Sequence, residues 1–287
     1  MPTTVAASFD QLKSNLEPTG LQKSTVSGRQ QVIRETIEAE LVVKDSFLTG
    51  SYARNTLIAP LSEADIDIFV VLDPSYHAQG PANLLERVRQ VLLKRYPNAP
   101  RISRNGQAVT IRFTDFVVDV VPGFYRENGG YLIPNTNTGA WISTNPKIHA
   151  ELMTKSNEAH NGDMVPLVKM IKAWNRKIGD GFVSFYLEML ALQILQGVRI
   201  DDFPSAVRFF FDKGREAVKY AIQDPVEYGG KIYGLQTITT VESAVSAFTT
   251  GFLCAQSGEG HSAQGREQKA ITEWKIIFGD YFPTYGW

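Results

Sequence analysis

The stretch FLTGSYARNTLIAPLSEADIDIFVV, residues 47–71, decides the fold of this chain. It places a Gly-Ser turn at Gly50 and Ser51, then 13 residues, and then an apolar strand that carries Asp65 and Asp67. Because residues i and i+2 of a strand point to the same face, the pattern predicts that both carboxylates project side by side. The apolar side chains between and after them then face the opposite way.

This pair of carboxylates needs a countercharge. Two carboxylates on one face of an apolar strand repel each other, and burying them unpaired is costly. Mg²⁺ removes that cost, since it takes hard oxygen ligands, usually one or two carboxylates together with phosphate oxygens. The backbone at Gly50 allows close approach, and the Ser51 hydroxyl and nearby N–H groups can hold a phosphate. The combination predicts nucleotidyl transfer, and a solvent-facing Asp pair on an edge strand is the alternative interpretation.

A third carboxylate lies in FTDFVVDVVPGF, residues 113–124. Its β-branched run predicts a buried strand that ends at Pro122-Gly123, and Asp119 lies in the middle of that run. An unpaired charge is not tolerated there without a reason. A neighbouring strand that carries Asp119 would complete a three-carboxylate site for two metal ions about 3.5–4 Å apart. Asp73 and Asp115 lie near strand ends, and we leave them out of the site.

Bulk properties exclude several classes of protein. The chain has 287 residues, 43% of them hydrophobic, and a formal net charge of −1, so it can bury a large core and carries no basic field for nucleic-acid polymers. The single cysteine, Cys254, excludes an intramolecular disulfide and a Cys-based zinc module. We find no signal-peptide pattern and no apolar run of membrane-spanning length, and therefore expect a cytoplasmic protein.

The order of the predicted elements indicates an α+β fold. We expect a mixed sheet-and-helix lobe over residues 1–145, an all-helical lobe over residues 146–287, and an active site in the cleft between them. The predicted strands are 46–49, 65–72, 108–113 and 116–121, and the predicted helices are 24–43, 81–96, 146–160, 164–178, 184–197, 203–222, 236–256 and 262–278. Residues 123–145, rich in Gly, Asn, Thr and Pro, are predicted to form a loop with one short strand near 131–133.

A basic stripe marks one helix of the second lobe. The segment PLVKMIKAWNRK, residues 166–177, aligns Lys169, Lys172 and Arg176 on a single helix face. By composition alone this stripe is a solvated surface face.

The helix that follows begins SFYLEML, residues 184–190. Ser184 is predicted as its N-cap, where it either caps the helix or contacts a phosphate, because a helix N-terminus binds anions. Phe185 and Tyr186 are either core residues or rings that stack on a base.

Together, GSYARNT, DIDIFVVL and VDVVPGF resemble the Pol β-type nucleotidyltransferase superfamily. More narrowly, they resemble the bacterial cGAS-like synthases of cyclic oligonucleotides, the CD-NTases of anti-phage (CBASS) defence. The resemblance implies Asp65, Asp67 and Asp119 as the metal ligands and catalytic residues, and Gly50 with Ser51 as the phosphate-binding turn.

MIKAW followed by SFYLEML is similar to two helices of the oligoadenylate and cyclic GMP-AMP synthases. That match implies that Lys172 touches the donor triphosphate, that Ser184 touches a phosphate and that Phe185 stacks on the base. Family members often carry a tyrosine at this stacking position, so Tyr186 is the alternative ring.

The resemblance implies an enzyme that makes a cyclic di- or trinucleotide second messenger from ATP and/or GTP with two Mg²⁺ ions, or with Mn²⁺. A 3′- or 2′-hydroxyl would attack an α-phosphate and release pyrophosphate, and a second round would close the ring. The family further implies a downstream effector that binds the product and, in some systems, regulatory proteins. The zinc-bearing insertion with which animal cyclic GMP-AMP synthase detects DNA has no counterpart here, so we expect no DNA activator.

Two other functions remain open at the level of sequence. One is transfer of a single nucleotide to an RNA, small-molecule or protein acceptor. The net charge and the absence of an added basic domain disfavour RNA elongation. The other is a catalytically silent nucleotide-binding scaffold. Loss of one aspartate is the expected sign of such a scaffold, and all three are present.

Overall fold

Two compact units make up the chain. The computed structural model describes residues 2–98, 101–226 and 228–286. We call Pro18–Glu151 with Pro225–Gly229 the sheet unit, and the segment up to Glu17, Leu152–Asp224 and the chain from Gly230 onward the helical unit.

The secondary structure follows the chain in a simple order. The strands are β1 (Val43–Leu48), β2 (Asp65–Leu72), β3 (Arg101–Asn105), β4 (Ala108–Arg112), β5 (Val117–Tyr125), β6 (Tyr131–Asn135), β7 (Ala140–Thr144), β8 (Ile222–Gln223) and β9 (Lys231–Ile232). The helices are α1 (Val5–Asn15), α2 (Gly20–Glu38), α3 (Gly50–Ala53), α4 (Pro81–Arg95), α5 (Pro146–Ala159), α6 (Met164–Lys177), α7 (Ser184–Ile194), α8 (Phe203–Ala217), α9 (Val241–Ala263) and α10 (Glu267–Phe278).

A mixed sheet forms the body of the sheet unit. Its strands lie in the order β1-β2-β5-β4-β3, and β6 and β7 extend it from the far end of β5. Strands β2 and β5 run parallel, while each of the other pairs is antiparallel. The two aspartate-bearing strands are therefore direct neighbours in the middle of the sheet.

Side chains on the two faces of β2 contact different apolar clusters. Ile66, Ile68 and Val70 are buried in the main core of the sheet unit, with apolar side chains of α2 and α4. On the other face, Phe69 joins a smaller apolar cluster that includes Tyr131. The alternation that the sequence predicts is confirmed, because a period of two sends successive side chains to opposite faces.

Aromatic side chains hold the helical unit together. Trp174 of α6 packs on Phe182, Phe211 and Phe248, with ring centroids 4.9–5.6 Å apart. Such offset and edge-on ring contacts add about 0.5–1.5 kcal/mol per pair beyond simple burial.

The first helix belongs to the helical unit as well. Phe9 of α1 meets Trp274, Phe278 and Phe282 edge-on. We expected residues 1–145 to form one lobe; the contacts instead group the chain up to Glu17 with the helices of the C-terminal half. Sequence periodicity gives α1 its apolar stripe but does not say which unit that stripe covers.

Parts of the predicted loop over residues 123–145 are strand. The expected stop at Pro122-Gly123 was wrong, because β5 runs on to Tyr125. Pro122 lies opposite Val70 of β2, and a β-strand accommodates proline where its missing N–H is not needed for the ladder. β6 and β7 then form a hairpin, so the Gly- and Asn-rich stretches are turns between strands. The short strands β3, β8 and β9 were also missed.

The helices of the described residues were searched for membrane spans. None of them is long enough and apolar enough to cross a bilayer.

Close helix packing at Gly214 generates the first prediction. A Cβ at Gly214 of α8 would lie 2.2 Å from Cε1 of Phe248 in α9, whereas a Cβ at Gly260 of α9 would meet nothing within 4 Å. Gly214→Ala should therefore lower the free energy of unfolding by about 1–3 kcal/mol through overpacking. Gly260→Ala should raise it by about 0.5–1 kcal/mol through helix propensity.

Urea unfolding of the two variants checks this prediction. Equal effects of the two substitutions would contradict the close approach of α8 to α9.

Candidate active site

Two of the three predicted aspartates are direct neighbours across the sheet. In the parallel register of β2 and β5, Asp67 lies opposite Asp119, and Asp65 lies opposite Val117. Asp65 and Asp67 are two residues apart on one strand, so all three carboxylates share one face of the sheet. That face lies opposite the main core, and the carboxylates are exposed or half-buried.

The predicted phosphate-binding turn lies against Asp67 and is hydrogen-bonded to its backbone. The backbone N–H of Thr49 donates to the Asp67 carbonyl oxygen at 2.9 Å, and α3 begins at the next residue. Gly50 has φ +61°, and a Cβ there would lie 1.7 Å from Oδ2 of Asp67. Both the left-handed backbone and the contact with a carboxylate require glycine. Ser51 follows in the one-turn helix α3, where the sequence predicted a Gly-Ser turn.

Asp119 is held by a threonine on the adjacent strand. Thr110 of β4 lies opposite Asp119 of β5, and its hydroxyl donates to Asp119 Oδ1 at 2.5 Å. Burial raises the pKa of the Asp119 carboxyl, an effect that the Thr110 hydrogen bond and the nearby Arg112 partly oppose. The folded protein therefore destabilises the ionised form of this carboxyl, and a cation bound beside it would stabilise that form.

The carboxylates fit a metal that takes part of its ligand set from substrate. Among the described residues, no three His, Cys, Asp or Glu side chains converge on one point as a three-ligand metal site would require. Asp65, Asp67 and Asp119 thus share a face without closing around one position. The adjacent pair Asp67 and Asp119 nevertheless matches Mg²⁺, which is commonly held by one or two carboxylates plus phosphate oxygens.

The predicted lysine of the helical unit has a buried acidic partner. Lys172 Nζ of α6 lies 3.3 Å from Oε1 of Glu188 in α7, and their side chains are 8% and 0% exposed. Such a pair is costly to desolvate and is strongly destabilised when only one partner is removed. Glu188 lies in the second turn of α7 and is a core residue.

The interpretation of the basic stripe as a solvated face was wrong. Lys169 is 2% exposed, and its Nζ lies 2.5 Å from Oε1 of Glu17, just beyond α1. Arg176 is half-buried and donates to the Tyr281 hydroxyl at 3.2 Å. The i, i+3, i+7 spacing was right, but in the folded chain that face of α6 packs against other parts of the helical unit.

The start of α7 differs in detail from the prediction. Val183, not Ser184, is the N-cap, and no side chain caps this helix end. Ser184 is the first helical residue and is exposed, and Phe185 is half-buried. Tyr186 is 1% exposed, and its hydroxyl donates to the Tyr220 carbonyl at 3.1 Å, so the alternative stacking role for Tyr186 was wrong.

Sequence reasoning missed several residues that position the site. Thr110 and Glu188 are described above, and the third is Asn175. Its side-chain amide donates to the Phe182 carbonyl at 2.8 Å and accepts from the Phe182 N–H at 3.0 Å, which fixes the chain just before α7. The available signal was a polar residue inside an apolar run, as in YLEML for Glu188.

Two solved structures illustrate the likeness of this fold to known proteins. The fold matches Escherichia coli CdnC solved with ATP at a TM-score of 0.76 and 18% identity, covering 97% of this chain and 98% of that chain. Vibrio cholerae DncV cyclic AMP-GMP synthase, solved with a linear intermediate, matches at 0.70 and 14% identity, with 98% and 87% covered. At these identities the likeness establishes the fold, which is a Pol β-like nucleotidyltransferase lobe with a helical lobe.

The family model named Second Messenger Oligonucleotide or Dinucleotide Synthetase domain (SMODS) matches residues 3–157, more than half of the chain. The chain belongs to this family and is a nucleotidyltransferase of the CD-NTase class. It is 24% identical to the cyclic AMP-AMP-AMP synthase of Acinetobacter sp., with 98% of this chain and 86% of that protein covered. It is 26% identical to the cyclic AMP-AMP-GMP synthase of Enterobacter hormaechei, with 97% and 92% covered. Membership implies catalysis with a divalent metal.

The burial of Asp119 predicts that removing its charge makes the folded protein more stable. Because burial raises its pKa, ionised Asp119 lowers the free energy of unfolding, and the loss grows as pH rises through the raised pKa. Asp119→Asn keeps an acceptor for Thr110 and removes the charge. In EDTA at pH 7, we expect Asp119→Asn to melt a few degrees above wild type, and we expect the difference to shrink toward pH 4.

Differential scanning calorimetry with EDTA or with Mg²⁺ tests this prediction. A lower Tm for Asp119→Asn in EDTA at pH 7 would overturn the view that the buried charge is a cost.

The buried pair of α6 and α7 yields a double-mutant prediction. Lys172→Met leaves Glu188 buried without its cation and should cost about 3–5 kcal/mol of unfolding free energy. Lys172→Met combined with Glu188→Leu should recover most of this loss, because neither charge of this pair is then buried. Urea titrations of the two variants and wild type measure the coupling. If the double variant is as unstable as Lys172→Met, the packing of Lys172 matters more than its charge.

Proposed function

We propose that the chain synthesises a cyclic di- or trinucleotide second messenger from ATP and/or GTP. The observation that carries this proposal is the constellation on the sheet unit, where Asp67 lies beside Asp119 and directly over Gly50. A phosphate-holding turn within contact of a carboxylate pair is suited to holding a triphosphate whose α-phosphate is attacked.

The sheet-unit residues have distinct proposed roles. Gly50 and Ser51 hold phosphate oxygens of the donor, and Asp65, Asp67 and Asp119 are the catalytic carboxylates and the ligands for two Mg²⁺ ions, with Mn²⁺ as a substitute. When bound, the metal lowers the pKa of the attacking hydroxyl and neutralises charge on the triphosphate. The hydroxyl loses its proton to solvent, its oxygen bonds to the α-phosphorus, the bond between the α-phosphorus and the α–β bridging oxygen breaks, and pyrophosphate leaves with that oxygen.

The helical-unit residues are proposed to hold the nucleotide. Ser184 is exposed at the beginning of α7, suited to a phosphate oxygen, and the ring of Phe185 beside it is suited to stacking on a base. Lys172, whose Nζ lies 3.3 Å from Oε1 of Glu188, is proposed to contact the triphosphate. The cleft between the lobes stays a prediction.

The relatives support the choice of product class and of partners. They include synthases named for cyclic AMP-AMP-AMP and for cyclic AMP-AMP-GMP, and a CBASS oligonucleotide cyclase CdnC of E. coli. We therefore propose a role in CBASS antiviral signalling, with a downstream effector that binds the product. A structure of E. coli CdnC with HORMA-deltaN supports the proposal of a regulatory protein partner. Because ATP and GTP are cytoplasmic substrates, we place the reaction in the cytoplasm.

A product assay tests the proposed function. Purified protein is incubated with the four radiolabelled ribonucleoside triphosphates and Mg²⁺ or Mn²⁺, and phosphatase-resistant products are identified by mass spectrometry. We expect a resistant cyclic product, reduced about 100-fold or more by Asp67→Asn, because charge stabilisation at the reacting phosphate is lost.

Asp115→Asn is the matched control. Asp115 lies four residues before Asp119, is exposed and pairs with Arg29 at 2.8 Å, so its loss should leave turnover intact. A linear product or a labelled acceptor would instead indicate single nucleotidyl transfer. Full turnover by Asp67→Asn would contradict the proposed mechanism.

A further inference from the structure

An exposed tyrosine stands beside the beginning of α7. Phe182 and Leu235 form an antiparallel bridge, flanked by hydrogen bonds from Val183 N to the Gly234 carbonyl at 2.8 Å and from Gln236 N to the Gly181 carbonyl at 3.0 Å. Because Gly234 is hydrogen-bonded to Val183, the residue before it, Tyr233, lies beside the beginning of α7, where Ser184 and Phe185 follow Val183.

The backbone that carries Tyr233 is fixed on both sides. Before it, β9 pairs with β8. After it, the chain packs against α7 so closely that a Cβ at Gly234 would lie 2.5 Å from the ring of Tyr186. The backbone position of Tyr233 relative to the beginning of α7 is therefore set by these hydrogen bonds and by this packing.

The ring of Tyr233 itself is left in solvent. The residue is 71% exposed, the highest value among the large hydrophobic residues that the structure exposes. Tyr233 thus carries a large exposed ring on a backbone held beside the beginning of α7, where Ser184 is exposed and Phe185 is half-buried, and such a set of side chains is suited to stacking on a base. It has the composition of a nucleotide site, with a hydroxyl for a phosphate and rings for a base.

We propose that Tyr233 is a second aromatic wall of the base-binding site, and that it contacts the base of the nucleotide whose phosphate lies at Ser184. The base then lies against Phe185 on one side and against Tyr233 on the other. This inference rests on the proposed function, since it takes Ser184 and Phe185 as the nucleotide contacts. Tyr233 binds the base through its ring, so Tyr233→Phe and Tyr233→Trp preserve the contact and Tyr233→Ala removes it.

The test is equilibrium binding of α,β-methylene ATP and α,β-methylene GTP with Mg²⁺, measured by isothermal titration calorimetry on the full chain. Tyr233→Ala should weaken binding by about 5- to 150-fold, the range for loss of one base–aromatic stack. Tyr233→Phe should bind within about twofold of wild type. Inorganic tripolyphosphate, which has no base, should bind Tyr233→Ala and wild type equally.

Tyr220→Ala is the matched control. Tyr220 flanks the same β8–β9 hairpin and is 64% exposed, but its hydroxyl lies 3.4 Å from Oε1 of Glu216 in α8. Truncating it should leave nucleotide affinity unchanged. Thermal unfolding of each variant, expected to match wild type, separates a lost contact from a damaged fold.

The outcomes distinguish the inference from the function on which it rests. Wild-type binding of nucleotide with equal affinity in Tyr233→Ala would overturn the role of Tyr233 and leave the proposed function standing. A loss in Tyr233→Ala that extends equally to tripolyphosphate, or is matched by Tyr220→Ala, would also overturn it. If wild type binds neither analogue, both the inference and the proposed function fall.

Discussion

The parallel register between β2 and β5 is the constraint on which the site depends. Asp67 and Asp119 lie opposite each other on two parallel strands in the middle of a sheet, and the other face of those strands is buried in the core. The buried face fixes the register, because a one-residue slip would move the aspartates into the core. Core packing on one face of the sheet thus keeps the two carboxyl groups next to each other on the other face.

The residues around Asp67 and Asp119 offset only part of the free-energy cost of burying the Asp119 carboxyl. Thr110 donates to Asp119, while burial still raises the pKa of that carboxyl. Gly50 lets the turn before α3 lie directly against Asp67, so that phosphate-binding backbone and carboxylate are adjacent. A buried carboxyl that lowers stability, as Asp119 does, is typical of a functional position.

In the helical unit, buried charge has a different use. Lys172 and Glu188 form a pair inside the protein that joins α6 to α7, and Asn175 fixes the chain that leads into α7. Hydrogen bonds and ion pairs of this kind constrain orientation more than they add stability. These interactions fix the positions of Ser184 and Phe185 at the beginning of α7. The bridge between Phe182 and Leu235 fixes the backbone of Tyr233 near them.

The sequence by itself determined the aspartate-bearing strands, the glycine turn and most of the helices, because these depend on local periodicity and on the backbone needs of single residues. Only the tertiary structure decided that Lys169 and Lys172 are buried, since spacing places them on one helix face but does not say what covers it. Likewise, the Thr110–Asp119 bond and the place of Tyr233 beside Ser184 arise from register between segments distant in sequence. The physical reason is that residue spacing along the chain determines the face of a helix or strand on which a side chain lies. Its contact partners depend instead on how segments distant in sequence pack together.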